Sequence, residues 1–196
     1  MEPTARLEQR LTWIEPDHFE RGQTVHVIEK SQDGAGTATF LSPAKNQLLR
    51  FNLSEVNRLR FIKQRRVADG VLVELSNDGL PLRLHLIELK SGLTLSDWNK
   101  VKQQLLGALH NAHALMGLLG LPMPDQIECH TCYRRDRISP QDSAHPVLFK
   151  PGVGTRIEDH PAYDWINGYC ELSSDFPRLP HHRHQRDEQG NAEIAL

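Results

Sequence analysis

Two apolar runs of β character flank the polar stretch Ser76-Asn77-Asp78-Gly79-Leu80-Pro81, and together they predict a hairpin. Val71, Val73 and Leu75 alternate on the first arm, and Leu82, Leu84 and Leu86 on the second. Pairing Leu75 with Leu82 sets Val73 opposite Leu84, Val71 opposite Leu86, Asp69 opposite Glu88 and Val67 opposite Lys90. Glu88 and Lys90 then prolong the row of leucines on one face, with Asp69 beside them. Directly opposed residues bring their Cβ atoms to about 4.5–5.5 Å. A one-residue slip would send Asp69 to the other face, so the register is decisive.

Downstream the period changes. Leu95, Trp98, Val101, Leu105, Leu109, Ala112, Met116 and Leu119 recur at three- and four-residue steps and predict a long helix ending near Gly120. Thr94 and Asp97 form a capping-box start for it. Ile127 to Arg135 reads as a further strand. Upstream, Val25–Lys30 and Thr37–Leu41 flank Asp33-Gly34-Ala35-Gly36 and predict a second hairpin. Ser139 to Pro161 is rich in Pro, Gly and Asp and reads as a loop with a short strand at Val147–Lys150. Pro161 can open a helix that places Ala162, Trp165, Ile166, Tyr169 and Cys170 on one face. Beyond Ser174 the chain turns polar, and its histidines His181, His182 and His184 fit a disordered tail better than a metal site. The expected division is an N-terminal arm and hairpin over 1–45, packed on a domain over 46–173, with a tail over 174–196.

Composition alters this picture in three places. The net charge is −2, so the basic run Arg58, Arg60, Lys63, Arg65 and Arg66 is a local concentration in a near-neutral chain. On charge alone it is a solvated helix face, whereas beside an acid pair it suits phosphate contact. Three cysteines make no disulfide framework, no apolar run reaches spanning length, and the start does not read as a signal peptide. A cytoplasmic protein without membrane contact is expected. Cys129-His130-Thr131-Cys132 offers at most two zinc ligands. Cys129 and Cys132 point to opposite faces of one strand, so free buried cysteines are preferred over a site completed by His145, His160 or Cys170.

The chemistry lies in the acid pair. Buried charges cost several kcal/mol unless compensated. Two carboxylates at cross-strand distance need a cation or a shared proton, and Mg²⁺ or Mn²⁺ suits oxygen ligands of this kind.

An acid on one strand, Glu88-Leu89-Lys90 on the next and a long helix after them resemble the PD-(D/E)xK nuclease superfamily. The resemblance runs from about Leu48 to Arg135 and departs from the family pattern in having Ala68, not proline, before Asp69. It implies an α/β, restriction-endonuclease-like core, a central mixed β-sheet flanked by helices, with one helix preceding the hairpin. It assigns the metal to Asp69, Glu88 and the backbone carbonyl of Leu89, and water activation to Lys90. It offers Glu55 as a third acid, with Glu74 as competitor. Lys102 and Gln103 on the long helix and Arg134 and Arg135, which close the last strand, are candidates for nucleic-acid contact, the alternatives being a solvated helix face for the first pair and a cap on the sheet edge for the second. The glutamine-tyrosine submotif of some families is absent, because Gln103 and Gln104 are followed by Gly107 and Ala108. The expected function is Mg²⁺- or Mn²⁺-dependent hydrolysis of phosphodiester bonds, in DNA rather than RNA. The expected partners are nucleic acid and either a second copy of the chain or another protein. The alternative is a non-catalytic nucleic-acid-binding or assembly subunit on the same fold.

Overall fold

In the computed structural model, which describes residues 3–29, 36–43, 45–54, 58–59, 62–139, 156 and 162–196, the long helix starts where its capping box predicts. The Thr94 side chain accepts from the Asp97 N–H, the Asp97 carboxylate accepts from the Thr94 N–H, and Gly120 ends the helix in the left-handed region at φ 62°. The elements in chain order are α1 (Pro3–Leu11), β1 (Phe19–Gly22), β2 (Thr24–Ile28), β3 (Thr37–Leu41), β4 (Gln47–Phe51), β5 (Gly70–Leu75) and β6 (Pro81–Leu93). They continue with α2 (Leu95–Leu119), β7 (Gln126–Asp136), α3 (Tyr163–Asn167), β8 (Tyr169–Cys170), β9 (Leu179–Gln185) and β10 (Ala192–Ala195).

The fold is α/β, with a large mixed sheet flanked by helices. Seven strands run in the order β1-β4-β5-β6-β7-β9-β8, and a second sheet of three runs β10-β3-β2. From β1 to β6 the pairing is antiparallel, while β6, β7 and β9 are mutually parallel. Strand alternation divides the core in two. Val71, Val73, Leu84, Leu86 and Cys129 pack on α2 with Leu7 of α1 and Trp165 of α3. Leu72, Ile87, Leu89 and Cys132 pack on Val25, Val27 and Phe40 of the small sheet. The two motif cysteines therefore do face opposite ways, and both are buried free thiols. Among the described residues no helix is long and apolar enough to cross a membrane.

The decisive register holds. Val71 pairs with Leu86 and Val73 with Leu84, so the ladder leads Asp69 to Glu88. At the turn it slips through a bulge between Glu74 and Leu75, and Leu75 meets Pro81 instead of Leu82.

Three expectations fail. No helix spans the described residues from Leu48 to Asp69. Residues 47–51 form β4, because Leu48 is buried against the small sheet while Leu49 and Phe51 are buried against α2, as a two-sided central strand requires. The expected disordered tail instead forms β9 and β10, β9 pairing with β7 and β10 with β3. Its histidines hid an alternation in which Leu179 and His181 are buried. The late helix is also shorter than expected. Gly168 stops it at φ 72°, Tyr169 and Cys170 pass into β8, and Ile166 is left exposed. The segments at Val147–Lys150 and Pro161, with His145 and His160, lie outside the described residues.

The described residues preceding β5 are tied to α2. Ala68 N–H donates to the Gln104 carbonyl at 3.0 Å, and Leu59 N–H to Asn111 Oδ1 at 2.9 Å. Gln64 Nε2 donates to the Gln103 carbonyl at 2.7 Å. Such an approach needs a missing side chain on the helix, and Gly107 supplies it: a Cβ there would lie 1.8 Å from the Arg66 carbonyl oxygen. Alanine is intrinsically better in a helix than glycine by about 1 kcal/mol. Gly107→Ala is nevertheless expected to destabilise by about 1–3 kcal/mol through overpacking. Chemical denaturation measures it, and a neutral or stabilising result would show that the segment is not clamped here.

Candidate metal centre

Asp69 sits at the entry to β5 and Glu88 deep in β6, on the sheet face that carries α2. Each carboxylate accepts from the other strand's backbone: Asp69 N–H donates to Glu88 Oε2 at 3.2 Å, and Leu89 N–H donates to Asp69 Oδ2 at 2.9 Å. The Lys90 ammonium forms an ion pair with Glu88 Oε1. Glu88 is fully buried, Asp69 is half-buried, and about a quarter of the Lys90 side chain reaches solvent. Two acids and a lysine from adjacent strands thus meet at one edge of the core, open on the lysine side.

Electrostatics explain what this arrangement lacks. Burial, followed by repulsion from Asp69, pushes the Glu88 carboxyl up to about 8, and the attraction of Lys90 only partly offsets this. Burial alone would lower the Lys90 ammonium, but Glu88, and then Asp69 and Glu29, outweigh it and hold the group above its ordinary value. Lys90 offsets only part of the cost of burying this acid pair, so the Glu88 carboxyl gives up its proton less readily than an ordinary carboxylate. The donor set is all oxygen and favours a hard divalent cation.

The other sequence candidates are dispersed. Leu89 uses its N–H to fix Asp69 and buries its side chain on the opposite face. Glu74 lies on that opposite face too, hydrogen-bonded by Asn46 at 2.6 Å, and so takes no part in the site. Glu55 and Arg60 lie outside the described residues. Lys63 and Arg65 are exposed on the segment along α2, and Arg58 Nη1 donates to its neighbour's carbonyl. Arg66 donates to Gln103 Oε1 at 2.9 Å, which binds two of the candidates to each other. Lys102 is held by Asp164 at 3.2 Å.

Arg134 and Arg135 do converge on a cleft. It occupies about 770 Å³ at the carboxyl ends of β6 and β7, and Ser91, Gly92, Arg137 and Arg186 line it with them. Ser91 and Gly92 follow Lys90 directly along β6. The sheet register supplies a cation that the sequence reading missed. Glu88 pairs with Thr131 and Thr131 with Arg183, which places Arg183 in the same cross-strand row as the acids. Its guanidinium lies over the Trp165 ring, 5.4 Å from the centroid. Only recognition of β9 as a strand could have found it.

Comparison of the chain with family models, with curated proteins and with solved structures gives no match.

The raised Glu88 carboxyl makes a signed prediction. Its folded-state value, about 8, lies above the ordinary 4.5, so its contribution to stability is complete at low pH and is lost as pH rises between those values. In metal-free buffer, thermal melting of the wild type should fall across that window, and Glu88→Gln should flatten the decline. An equal slope in the variant would assign the titration to another group.

Proposed function

We propose that this chain is a metal-dependent nuclease with a restriction-endonuclease-like core, hydrolysing phosphodiester bonds in DNA with Mg²⁺ or Mn²⁺ as cofactor. The observation that carries the reading is the convergence of Asp69, Glu88 and Lys90 across β5 and β6, two carboxyl groups sharing one lysine. A purely structural triad would gain by replacing Glu88 with an apolar residue, since breaking even with desolvation is difficult for a buried ion pair.

In this reading Asp69 and Glu88 hold the cation through carboxylate oxygens, with the Leu89 carbonyl as a further donor. Bound there, the cation supplies a coordinated water of lowered pKa and offsets charge on the phosphate. Lys90, on the solvent side, orients that water and steadies the charge that develops in the transition state. The ion pair between Lys90 and Glu88 must loosen for this, and binding of a cation by Glu88 provides the reason for it to do so. Arg134, Arg135 and Arg183 hold the flanking phosphates, with Lys63 and Arg65 extending the basic track. DNA is preferred over RNA because of the superfamily resemblance.

Two measurements test it. Cleavage of single-stranded, duplex and branched DNA, and of RNA, is expected with Mg²⁺ or Mn²⁺ and should fall at least ~10²-fold in Lys90→Ala, the scale of a lost proton-handling group. Equal cleavage in that variant would sink the mechanism. Because carboxylate ligands must shed their protons, Mg²⁺ should raise the melting temperature more above the Glu88 value of about 8 than below it. Asp69→Asn should abolish the shift. A metal-dependent shift with no cleavage of any substrate would favour the non-catalytic nucleic-acid-binding or assembly subunit.

A further inference from the structure

The face of the sheet turned away from Asp69 and Glu88 carries a second cluster of ionisable side chains. The register sets His85 beside Glu128 and His130 beside His182, across the three parallel strands β6, β7 and β9. His85 Nδ1 and His130 Nε2 lie 3.0 Å apart. Glu128 Oε2 is 3.7 Å from the first and 3.9 Å from the second. Ligand atoms around a tetrahedral Zn²⁺, bonded at about 2.0–2.2 Å, stand roughly 3.3–3.6 Å from one another. The three separations bracket that spacing.

We propose that His85 Nδ1, His130 Nε2 and Glu128 Oε2 form a Zn²⁺-type transition-metal site that braces β6 against β7. The other nitrogen of His130 has a hydrogen-bond partner, as metal-bound histidines usually do, and that of His85 faces a carboxylate. His130 Nδ1 lies 3.0 Å from His184 Nε2, so it can donate there and leave Nε2 bare for the metal. His85 Nε2 is fully buried without a hydrogen bond, and Glu74 Oε2, also without one, stands 3.9 Å away. A proton on His85 Nε2 answers that carboxylate and again leaves the inward nitrogen as a lone pair. Two bare nitrogens 3.0 Å apart repel unless a cation lies between them. His182 Nε2, 3.3 Å from Glu128 Oε2, flanks the exposed side, where a fourth ligand or water can enter.

The donor set sorts metals. Imidazole suits Zn²⁺, Cu²⁺ and Ni²⁺, whereas Mg²⁺ prefers oxygen alone. The cluster is therefore chemically distinct from the acid pair on the other face and does not depend on the nuclease reading. Its occupant would tie β7 to β6 at the centre of the sheet.

The test uses the full chain, stripped with a chelator and dialysed, then titrated with Zn²⁺ or Co²⁺. Wild type and Asp69→Asn should each retain one Zn²⁺ per chain, gain thermal stability from it, and give the visible absorption of tetrahedral Co²⁺. His130→Gln and Glu128→Gln should weaken binding at least ~10-fold, in line with losses seen even for groups that only support metal ligands. Circular dichroism controls for folding. Should His130→Gln fail to fold, Glu128→Gln decides, since its side chain reaches solvent. Failure of the wild type to retain Zn²⁺ would overturn the site in favour of a proton-sharing imidazole pair. Undiminished binding in the folded variants, or loss in Asp69→Asn instead, would overturn it as well.

Discussion

A carboxyl group removed from water, with a second carboxylate facing it and a single lysine for compensation, constrains everything around it. Glu88 is fully buried in β6 and its carboxyl is held near 8. Such a group is tolerated only where the neighbouring backbone donates to it and the lysine is close, and both conditions depend on one strand register. The ladder from Val73–Leu84 through Gly70–Ile87 supplies that register, and the bulge that shifts the pairing lies at the far end of the hairpin. The distortion of the turn is thus kept away from the acids.

The helix serves the same constraint from the other side. Asp69 belongs to no strand, and its position is set by the segment before it. That segment is held to α2 by Ala68, Gln64 and the buried Asn111, across a gap that exists because residue 107 has no side chain. A small residue in a helix is usually read as weakness. Here it lets a backbone lie on the helix and brings an acid to the strand edge.

The apolar rows of Val71, Val73, Leu84 and Leu86 on either side of a polar turn made the hairpin, its register and the acid pair legible, although both faces of these strands are buried. The capping box and the stripe of α2 were equally readable. Other features were not. Leu48, Leu49 and Phe51 are buried on both faces of β4, so they carry no alternation, and the resemblance implied a helix there instead. His181, His182 and His184 count as polar in any hydropathy pattern. Yet His181 lies buried against Trp98 and Trp165 while His182 and His184 turn to the opposite face. Histidine can belong to a core when its ring packs on aromatic neighbours and a nitrogen finds a partner, as His181 Nε2 does with the Thr131 hydroxyl at 2.9 Å. Misreading that strand hid Arg183 and the imidazole cluster together.

Strand alternation also explains how one sheet can present two unlike sets of donors. Along β6, Leu84, Leu86 and Glu88 face α2, while His85, Ile87 and Leu89 face the small sheet. The same division continues on β7, where Cys129 and Thr131 share the helical side and Glu128, His130 and Cys132 the other. Asp69 and Glu88 therefore lie on one face and the His85–Glu128–His130 cluster on the other, with the hydrogen-bonded backbone between them. A hard cation is favoured at the acids and a softer one at the histidines, because imidazole nitrogens enter only the second donor set. The two sites would still be mechanically linked, since both rest on β6 and β7. A change that displaced β7 along β6 would disturb the Glu88–Thr131–Arg183 row and the His85–Glu128 pair in the same movement.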